Sequence, residues 1–261
     1  MKPIEQSLLD TRHIGRRVLL YDRTDSTNDR AAELANDPAN DGVVILANEQ
    51  TAGRGQQGRS WHCTAGDGVL MSVLLFPPPA LRRPALLTAW AAVSVCETIR
   101  KAVNIQAKIK WPNDALIRGR KVCGILTEQR SAVSGQPSAI CGIGLNVNQP
   151  AASFACRGLE NGTSLAIAAG KLFDCQEIAR LLIRQLDDEY ARLCAGDLST
   201  LEACWKWRLG LLGKHVEAEC LDGVSQGRLL EVGWAGLEIE TASGQVRRIV
   251  PEAVRHLRPL P

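Results

Sequence analysis

The stretch "KIKWPNDALIRGRKVCGIL", residues 108 to 126, holds three short apolar runs separated by two turn signals. Pro112-Asn113-Asp114 is favourable turn chemistry after a strand, because proline fixes φ and the polar side chains bond to nearby backbone. The Gly119-Arg120 pair predicts a hairpin turn into the run that starts at Lys121. We therefore predict three strands, "AKIKW", "ALIRG" and "KVCGILTEQ", joined by tight turns.

The sequence around this stretch predicts more strands, interrupted by two helices. A helix follows "DSTN" (25–28), with Ser26 or Thr27 as its N-cap, and a long helix runs from Pro84 to about Ala102. "SAVSGQPS" (131–138) is predicted to be a second hairpin loop. Apolar runs predict the remaining strands at 16–21, 43–48, 68–76 and 139–148. This pattern is typical of an α+β domain.

The C-terminal part of the chain has a different pattern. Asp174 and Glu177 resemble a capping box that starts one helix, and a second helix is predicted near 198–209. From Gly213 onward, four short strand-like runs are separated by glycine-containing turns, which predicts a small β-barrel. We therefore expect two domains, residues 1–212 and 213–261.

Composition restricts the possible classes of protein. The 261 residues carry a formal charge of +3, which is mildly basic and unlike the concentrated basic face of a nucleic-acid binder. The sequence has no secretory signal pattern and no apolar stretch long enough to span a bilayer, so we expect a cytoplasmic protein without DNA or membrane partners. The nine cysteines form no CxxC pair, which argues against a zinc cluster, and we expect no metal held by protein ligands.

The loop "GRGQQGRSW", residues 53 to 61, is called here the glycine–arginine loop. It has three glycines, two arginines and no acid, and the nearest acids in sequence are Glu49 and Asp67. Glycines let the backbone approach an anion closely, and arginine supplies forked donors suited to phosphate or carboxylate. We therefore expect a ligand to neutralise Arg54 and Arg59, although a solvated surface turn explains the same residues.

Four further features have both a functional and a plain structural interpretation. "DSTN" caps a helix and can also fix a small polar ligand at the helix N-terminus. Lys121 is either a solvated strand-edge lysine or a cation that neutralises charge on a phosphate. The glycines of "GIGLNVN" (142–148) either relieve packing or leave room for a nucleotide beside Asn146. His62 beside Cys63 suggests a metal or nucleophile pair, but no other histidine or cysteine lies near in sequence.

Taken together and in this order, "DSTN", "EQTAGRGQQGRSW", "KWPND", "RKVCGIL" and "GIGLNVN" resemble the biotin protein ligases (biotin–[acetyl-CoA-carboxylase] ligases). The resemblance extends from about residue 20 to the end of the chain. It implies a class II aminoacyl-tRNA-synthetase-like catalytic domain, with a mixed sheet and flanking helices, followed by a small β-barrel. Because only about two dozen residues precede "DSTN", we expect the short form, without the N-terminal DNA-binding domain of bifunctional members.

In that family, biotin and ATP form biotinyl-5′-adenylate, and a lysine of a biotin carboxyl carrier domain then receives the biotinyl group. The resemblance implies catalytic roles for Lys121, Arg54 and Asp114. It implies that biotin is bound by Ser26, Thr27, Asn28, Gln50, Arg54, Gly55, Gln56 and Lys121. It implies that ATP is bound by Arg59, Trp61, Asn113, Lys121 and Asn146. Mg²⁺ would be held mainly by phosphate oxygens.

The sequence departs from the family's pattern at one position, and two rival functions stay open. Gln56 stands where some members of the family have arginine, and glutamine cannot neutralise an anion. A lipoate or octanoate ligase shares the catalytic architecture and the strand lysine. A non-catalytic, biotin-responsive regulator is the rival from a different class. The sequence leaves both a monomer and a homodimer open.

Overall fold

The computed structural model describes residues 3–131 and 136–260, so residues 132–135 of the predicted hairpin loop at 131–138 lie outside the described residues. The strands are β1 Glu5–Ser7, β2 Val18–Thr24, β3 Val44–Gln50, β4 Gly68–Leu75, β5 Lys108–Lys110, β6 Asp114–Ile117, β7 Arg120–Arg130, β8 Ser138–Asn146, β9 His215–Cys220, β10 Gly223–Gly233, β11 Gly236–Glu240, β12 Val246–Ile249 and β13 Val254–Pro259. The helices are α1 Thr27–Leu34, α2 Pro84–Val103, α3 Ala151–Ala155, α4 Leu165–Ala169, α5 Cys175–Cys194 and α6 Leu198–Leu209.

The first eight strands form one mixed sheet in the order β1-β2-β3-β4-β8-β7-β6-β5. Only β2 and β3 pair in parallel among these strands, and the other neighbours are antiparallel. This architecture confirms the α+β prediction with a mixed sheet and flanking helices.

Helices cover the two faces of this sheet separately. Alternate residues of β4 show the division, because Val73 packs in the cluster that includes α2 and α5, whereas Leu74 packs in the cluster that includes Ala31 of α1. Side chains of a strand point to opposite faces in turn, so α1 lies on one face and the α2–α5 pair on the other. The α1 face carries the cavity described below.

The predicted hairpin turn after "ALIRG" is displaced by one residue. Arg118 and Gly119 occupy the turn, with φ of 49° and 79°, and Arg120 already begins β7. A two-residue hairpin of this kind needs a left-handed conformation at both central positions, which matches the twist of the flanking strands. The turn therefore takes the residue before the glycine, not the residue after it.

The helix starts follow the predicted capping signals in part. α2 begins at Pro84, and the Asp174 carboxylate accepts hydrogen bonds from the N–H groups of Gln176 and Glu177 at the start of α5. Ser26 occupies the N-cap position of α1, but its side chain makes no capping hydrogen bond. The short helices α3 and α4 were not predicted.

The last five strands form a second sheet in the order β12-β11-β10-β9-β13. β13 is absent from the sequence-based prediction, which ended with the run at 245–250. Within the described part of the chain, β12 and β13 each pair with one neighbour, so the structure confirms a small C-terminal β-sheet. Closure of that sheet into a barrel and the domain boundary at residue 212 stay predictions.

Candidate functional site

A cavity of about 640 Å³ on the α1 face brings every predicted site residue together. Its walls come from the "DSTN" segment, the end of β3, the glycine–arginine loop, β6, β7 and β8. The residues that were predicted and that line the cavity are Ser26, Thr27, Asn28, Gln50, Arg54, Gly55, Gln56, Arg59, Trp61, Asn113, Asp114, Lys121 and Asn146. Segments far apart in sequence therefore share one concave site, as expected for a ligand pocket.

One end of the cavity is a connected set of polar side chains. Gln50 Oε1 accepts hydrogen bonds from the Thr27 N–H at 2.7 Å and from the Thr27 hydroxyl at 3.0 Å. The buried Ser72 Oγ lies 2.7 Å from Thr27 Oγ1 and 2.5 Å from Asn28 Oδ1. Asn28 Nδ2 donates to Glu128 Oε2 at 2.6 Å. A buried network of this kind holds its donors and acceptors in one arrangement, ready for a small polar ligand.

Glycines form the floor of the cavity because neighbouring side chains occupy the space that a Cβ would need. A Cβ at Gly142 would lie 2.4 Å from Asn28 Oδ1. A Cβ at Gly144 or Gly124, which face each other across β7 and β8, would lie 2.3 or 2.9 Å from the Trp61 ring. The glycines of "GIGLNVN" therefore relieve packing, since they let Asn28 and Trp61 lie against the sheet, and the room for a nucleotide beside Asn146 stays a prediction.

A β-bulge sets the direction of the Lys121 side chain. Ala115 pairs with Cys123 and Leu116 pairs with Lys121, so Val122 is an extra residue on β7. An extra residue reverses the face to which the preceding side chains point. Lys121 therefore lines the cavity, although regular alternation would have pointed it away.

Lys121 is also fixed by its neighbours. Its Nζ lies 2.7 Å from Asp114 Oδ1 and 5.7 Å from the centroid of the Trp61 ring. Its backbone N–H donates to the Asn161 carbonyl at 2.7 Å, and its carbonyl accepts from the Thr163 N–H at 2.8 Å. The strand-edge interpretation of Lys121 is therefore wrong, because its ammonium group is directed into the cavity and paired there.

The expectation that no protein acid neutralises Arg54 is also wrong. Arg54 Nη1 lies 2.8 Å from Asp29 Oδ1, and Nη2 lies 3.0 Å from Glu128 Oε2. Neither acid is near in sequence, unlike Glu49 and Asp67, and the fold brings both of them to the loop. Arg54 is thus paired with protein carboxylates, whatever further group it binds.

The glycine–arginine loop is folded as a small hairpin. The Gly55 N–H donates to the Arg59 carbonyl at 2.6 Å, and the Trp61 N–H donates to the Gly53 carbonyl at 2.8 Å. The Arg59 side chain donates to Gln57 Oε1 at 2.9 Å and, among the described residues, pairs with no carboxylate. Arg59 therefore keeps its positive charge available at the exposed rim of the cavity.

Two predicted nucleotide-side residues already use their amide groups within the protein. Asn113 Nδ2 donates to the Ile125 carbonyl at 2.6 Å, which closes the turn before β6. The buried Asn146 donates to the Thr163 carbonyl and accepts from Gln149, each at 3.0 Å. Both residues line the cavity, and the hydrogen bonds of their amide groups also hold its wall together.

The structure adds two walls that the sequence did not predict. Eight residues between 153 and 162, around and after α3, line the cavity, and His256 of β13 reaches it from the C-terminal sheet. None of these residues carried a signal in the sequence. Glu128, which contacts Arg54 and Asn28, carried no signal beyond its place in a predicted strand.

In the residues the structure describes, no metal cluster is found, and the Cys63 thiol beside His62 is not activated. No group of three or more histidine, cysteine or acidic side chains is arranged to hold a metal ion there. Burial raises the pKa of the Cys63 thiol to about 12, so the group stays protonated at neutral pH and is a poor nucleophile. In the same residues, no helix has the length and apolar character needed to cross a membrane.

Comparison with known proteins gives consistent matches. The model of the "Biotin/lipoate A/B protein ligase family" matches residues 20–148. The bifunctional ligase/repressor BirA of Bacillus subtilis is 37% identical over 238 residues, which is 90% of this chain and 73% of that protein. A biotin–[acetyl-CoA-carboxylase] ligase of Paracoccus denitrificans is 32% identical over 88% of this chain and 96% of its own length.

Solved structures agree with these relatives. The biotin protein ligase of Aquifex aeolicus, in complex with biotin and ATP, superposes with a TM-score of 0.77 and 25% identity. The match covers 93% of this chain and 99% of that chain.

Proposed function

Since the chain belongs to the biotin protein ligase family, we propose that it is an ATP-dependent biotin–protein ligase. A carboxylate oxygen of biotin attacks the α-phosphorus of ATP, the bond from that phosphorus to the β-phosphate breaks, and pyrophosphate leaves. The product is biotinyl-5′-adenylate. The amine of a carrier lysine then attacks the biotinyl carbonyl, and AMP leaves.

The observation that carries this proposal is that one cavity is lined both by Lys121 and by a polar network. The Lys121 ammonium group lies beside Trp61 and Asp114, and the polar network of Asn28, Thr27 and Gln50 lines the same cavity. The polar network binds the ureido head of biotin, and Lys121 bridges the biotin carboxylate and the α-phosphate. A fixed cation is needed there because two anions must meet before any bond forms.

The direct test is to mix the purified protein with ATP, Mg²⁺, biotin and an apo biotin carboxyl carrier domain, and then to weigh the carrier. A mass increase equal to one biotinyl group, dependent on ATP, is the expected result. An unchanged carrier mass, with folded protein and folded carrier, would contradict the proposal.

Biotin is favoured over lipoate or octanoate as the acid. The relative of Paracoccus denitrificans and the structure from Aquifex aeolicus are named as biotin ligases, whereas the family model covers both kinds of enzyme. Biotin should therefore stimulate exchange of labelled pyrophosphate into ATP, and lipoate should not. Equal stimulation by the two acids would favour the rival assignment.

The nucleotide end of the cavity lies around Trp61, Arg59 and Asn146. Arg59 binds the triphosphate from the rim, and Asn113 and Asn146 shape the wall beside the nucleotide. Mg²⁺ is held mainly by phosphate oxygens, because the described residues provide Asp114 but no cluster of carboxylates. Asp114 helps to position the ion or, later, the acceptor lysine.

Trp61→Ala should weaken the binding of ATP more than the binding of biotin, because we assign the indole to the adenine side of the cavity. Loss of one base–aromatic stack costs about 1–3 kcal/mol, so the KM for ATP should rise roughly tenfold. Steady-state pyrophosphate exchange, with each substrate varied in turn, measures both constants. Equal losses for the two ligands would contradict the adenine assignment.

Gln56→Arg should slow the escape of bound biotinyl-5′-adenylate. Arginine would add a charge-assisted hydrogen bond to the α-phosphate or the acyl group, worth about 1.5–3 kcal/mol, so the off-rate should fall roughly tenfold or more. The off-rate is measured by chasing labelled adenylate with unlabelled adenylate. Gln57→Arg is the control, because it adds the same charge one position along the loop. An off-rate unchanged by Gln56→Arg would refute the role given to this position.

The remaining proposals concern architecture and partner. Residues 1–212 form the catalytic domain, of class II aminoacyl-tRNA-synthetase-like architecture, and residues 213–261 form a small barrel. The separate sheet order of the last five strands supports this division. The acceptor is the biotin carboxyl carrier domain of acetyl-CoA carboxylase or a related carboxylase, as the names of the relatives suggest.

A further inference from the structure

Ser72 lies beneath the polar network of the cavity, although the sequence did not predict it as a site residue. It is fully buried on β4, beside Gly142 of β8, and its Oγ contacts Thr27 and Asn28 in the first turn of α1. We propose that Ser72 is a positioning residue, which turns the Thr27 hydroxyl so that the network accepts an N–H group of the ligand. The inference rests on the proposed function for the identity of that ligand.

The two ends of the polar network have fixed directions. Gln50 Oε1 accepts the backbone N–H of Thr27 at 2.7 Å, so the amide oxygen of Gln50 faces the network. Asn28 Nδ2 donates to the Glu128 carboxylate at 2.6 Å, and a carboxylate only accepts, so Asn28 Oδ1 faces Ser72. Both ends therefore present amide oxygens, which accept hydrogen bonds and carry no proton.

Between these ends, the network has one proton too few. Four oxygens follow one another at 3.0, 2.7 and 2.5 Å, in the order Gln50 Oε1, Thr27 Oγ1, Ser72 Oγ and Asn28 Oδ1. Three oxygen–oxygen contacts need three protons, and the two hydroxyl groups supply one each. A buried contact without a proton is unfavourable, because two acceptors then face each other. A ligand that donates a hydrogen bond completes the network.

The distances indicate which contact gives up its proton when the ligand binds. A hydroxyl hydrogen bond is typically about 2.7–2.8 Å long, and both contacts of Ser72 are at or below this length. The contact between Thr27 Oγ1 and Gln50 Oε1 is longer, at 3.0 Å, and Gln50 Oε1 already accepts the Thr27 N–H. In the complex, the Ser72 proton therefore goes to Asn28 and the Thr27 proton goes to Ser72.

This arrangement leaves Thr27 Oγ1 and Gln50 Oε1 as a pair of acceptors, and both residues line the cavity. The cyclic urea of biotin carries N–H groups that fit such a pair, whereas the dithiolane of lipoate and the chain of octanoate carry none. A site with buried polar groups strongly rejects a ligand that leaves them unpaired. The acceptor pair therefore gives a chemical reason, within this chain, for the choice of biotin over the two rival acids.

The test measures binding by calorimetry in the absence of ATP. The ligands are biotin and its two carbamate analogues, in each of which an oxygen replaces one ureido N–H. The wild type should bind one of the carbamates about tenfold or more weakly than biotin, because that oxygen faces the acceptor pair. In Ser72→Ala the Thr27 proton is free to donate to the carbamate oxygen, so the preference for biotin should fall to about threefold or less.

Ser94→Ala is the matched control. Ser94 is also fully buried, but its hydroxyl donates to the Trp90 carbonyl within α2, and it does not line the cavity. This variant should keep the wild-type preference, which separates the role of Ser72 from the mere loss of a buried hydroxyl. Thermal unfolding shows whether each variant is folded.

A pair of variants at Thr27 tests the same acceptor independently, including the case in which Ser72→Ala does not fold. Thr27→Val removes the hydroxyl and should lose the preference for biotin over the carbamate. Thr27→Ser restores the hydroxyl and should recover that preference.

The possible outcomes separate this inference from the proposed function. Equal binding of biotin and both carbamates by the wild type would overturn the inference, as would an undiminished preference in folded Ser72→Ala or in Thr27→Val. In either case, biotin-dependent pyrophosphate exchange would still support the proposed function. Binding with the expected preference, but without any such exchange, would overturn the proposed function and support the acceptor pair.

Discussion

Lys121→Ala is expected to lower the rate of biotinyl-5′-adenylate formation by about 100-fold or more, equivalent to about 3 kcal/mol of transition-state stabilisation. The reason is electrostatic. The biotin carboxylate and the α-phosphate are both anions, and we propose that the Lys121 ammonium, which the bulge in β7 directs into the cavity, is the cation that bridges them. Its removal also leaves the Asp114 carboxylate, now 2.7 Å from Nζ, without its partner and adds negative charge to the reacting centre.

The measurement is single-turnover adenylate formation, followed through the release of pyrophosphate. Lys101→Ala is the control, because Lys101 is an exposed lysine in the last turn of α2, outside the cavity. Transfer from pre-formed biotinyl-5′-adenylate to the carrier should be slowed less, since the biotin carboxylate has lost its charge in the mixed anhydride and two anions no longer have to be brought together. Adenylate formation within a few-fold of the wild type would show that Lys121 does not bridge the reactants.

The sequence predicts the strands and helices that position the site better than it predicts the contacts within the site. Apolar runs and turn signals locate β4, α2 and α6, because burial and capping chemistry act on neighbouring residues. The bulge at Val122 could not be predicted in this way. It depends on the pairing of β7 with β6, and that pairing reverses the direction of Lys121 relative to regular alternation.

The ion pairs of Arg54 show the same limit of prediction from sequence more clearly. The glycine–arginine loop contains no acid and has none close by in sequence, which suggested a ligand as the counter-charge for Arg54. Asp29 and Glu128 approach Arg54 only through the packing of α1 against the sheet and the reach of the loop across it. Contacts between residues far apart in sequence are set by the tertiary fold. The local sequence could therefore identify the cationic loop, but not the acids that pair with it.

Trp205→Ala is expected to have the largest effect on stability, because this side chain joins the C-terminal sheet to the main sheet. Trp205 is 2% exposed, and its ring centroid lies 5.6 Å from that of Trp111 and 4.8 Å from that of Trp234. Truncation of a fully buried tryptophan costs about 3–5 kcal/mol, and here it would leave a cavity between the two sheets. Thermal unfolding should therefore shift downward by on the order of 10 °C.

The loss of Trp205 would also affect the cavity, through Trp111. Its Nε1 donates to the Val254 carbonyl of β13 at 2.9 Å, and it directly precedes the turn that leads to Asp114, the partner of Lys121. Loss of Trp205 should thus lower adenylate formation as well as stability, when both are measured below the unfolding transition. Trp207→Ala is the matched control on the same helix, since Trp207 is 54% exposed and its removal should cost under about 1 kcal/mol. Equal unfolding temperatures for the two variants would mean that the C-terminal sheet is held to the main sheet by contacts other than this aromatic stack. Equal rates of adenylate formation would mean that the turn before β6 does not depend on Trp205.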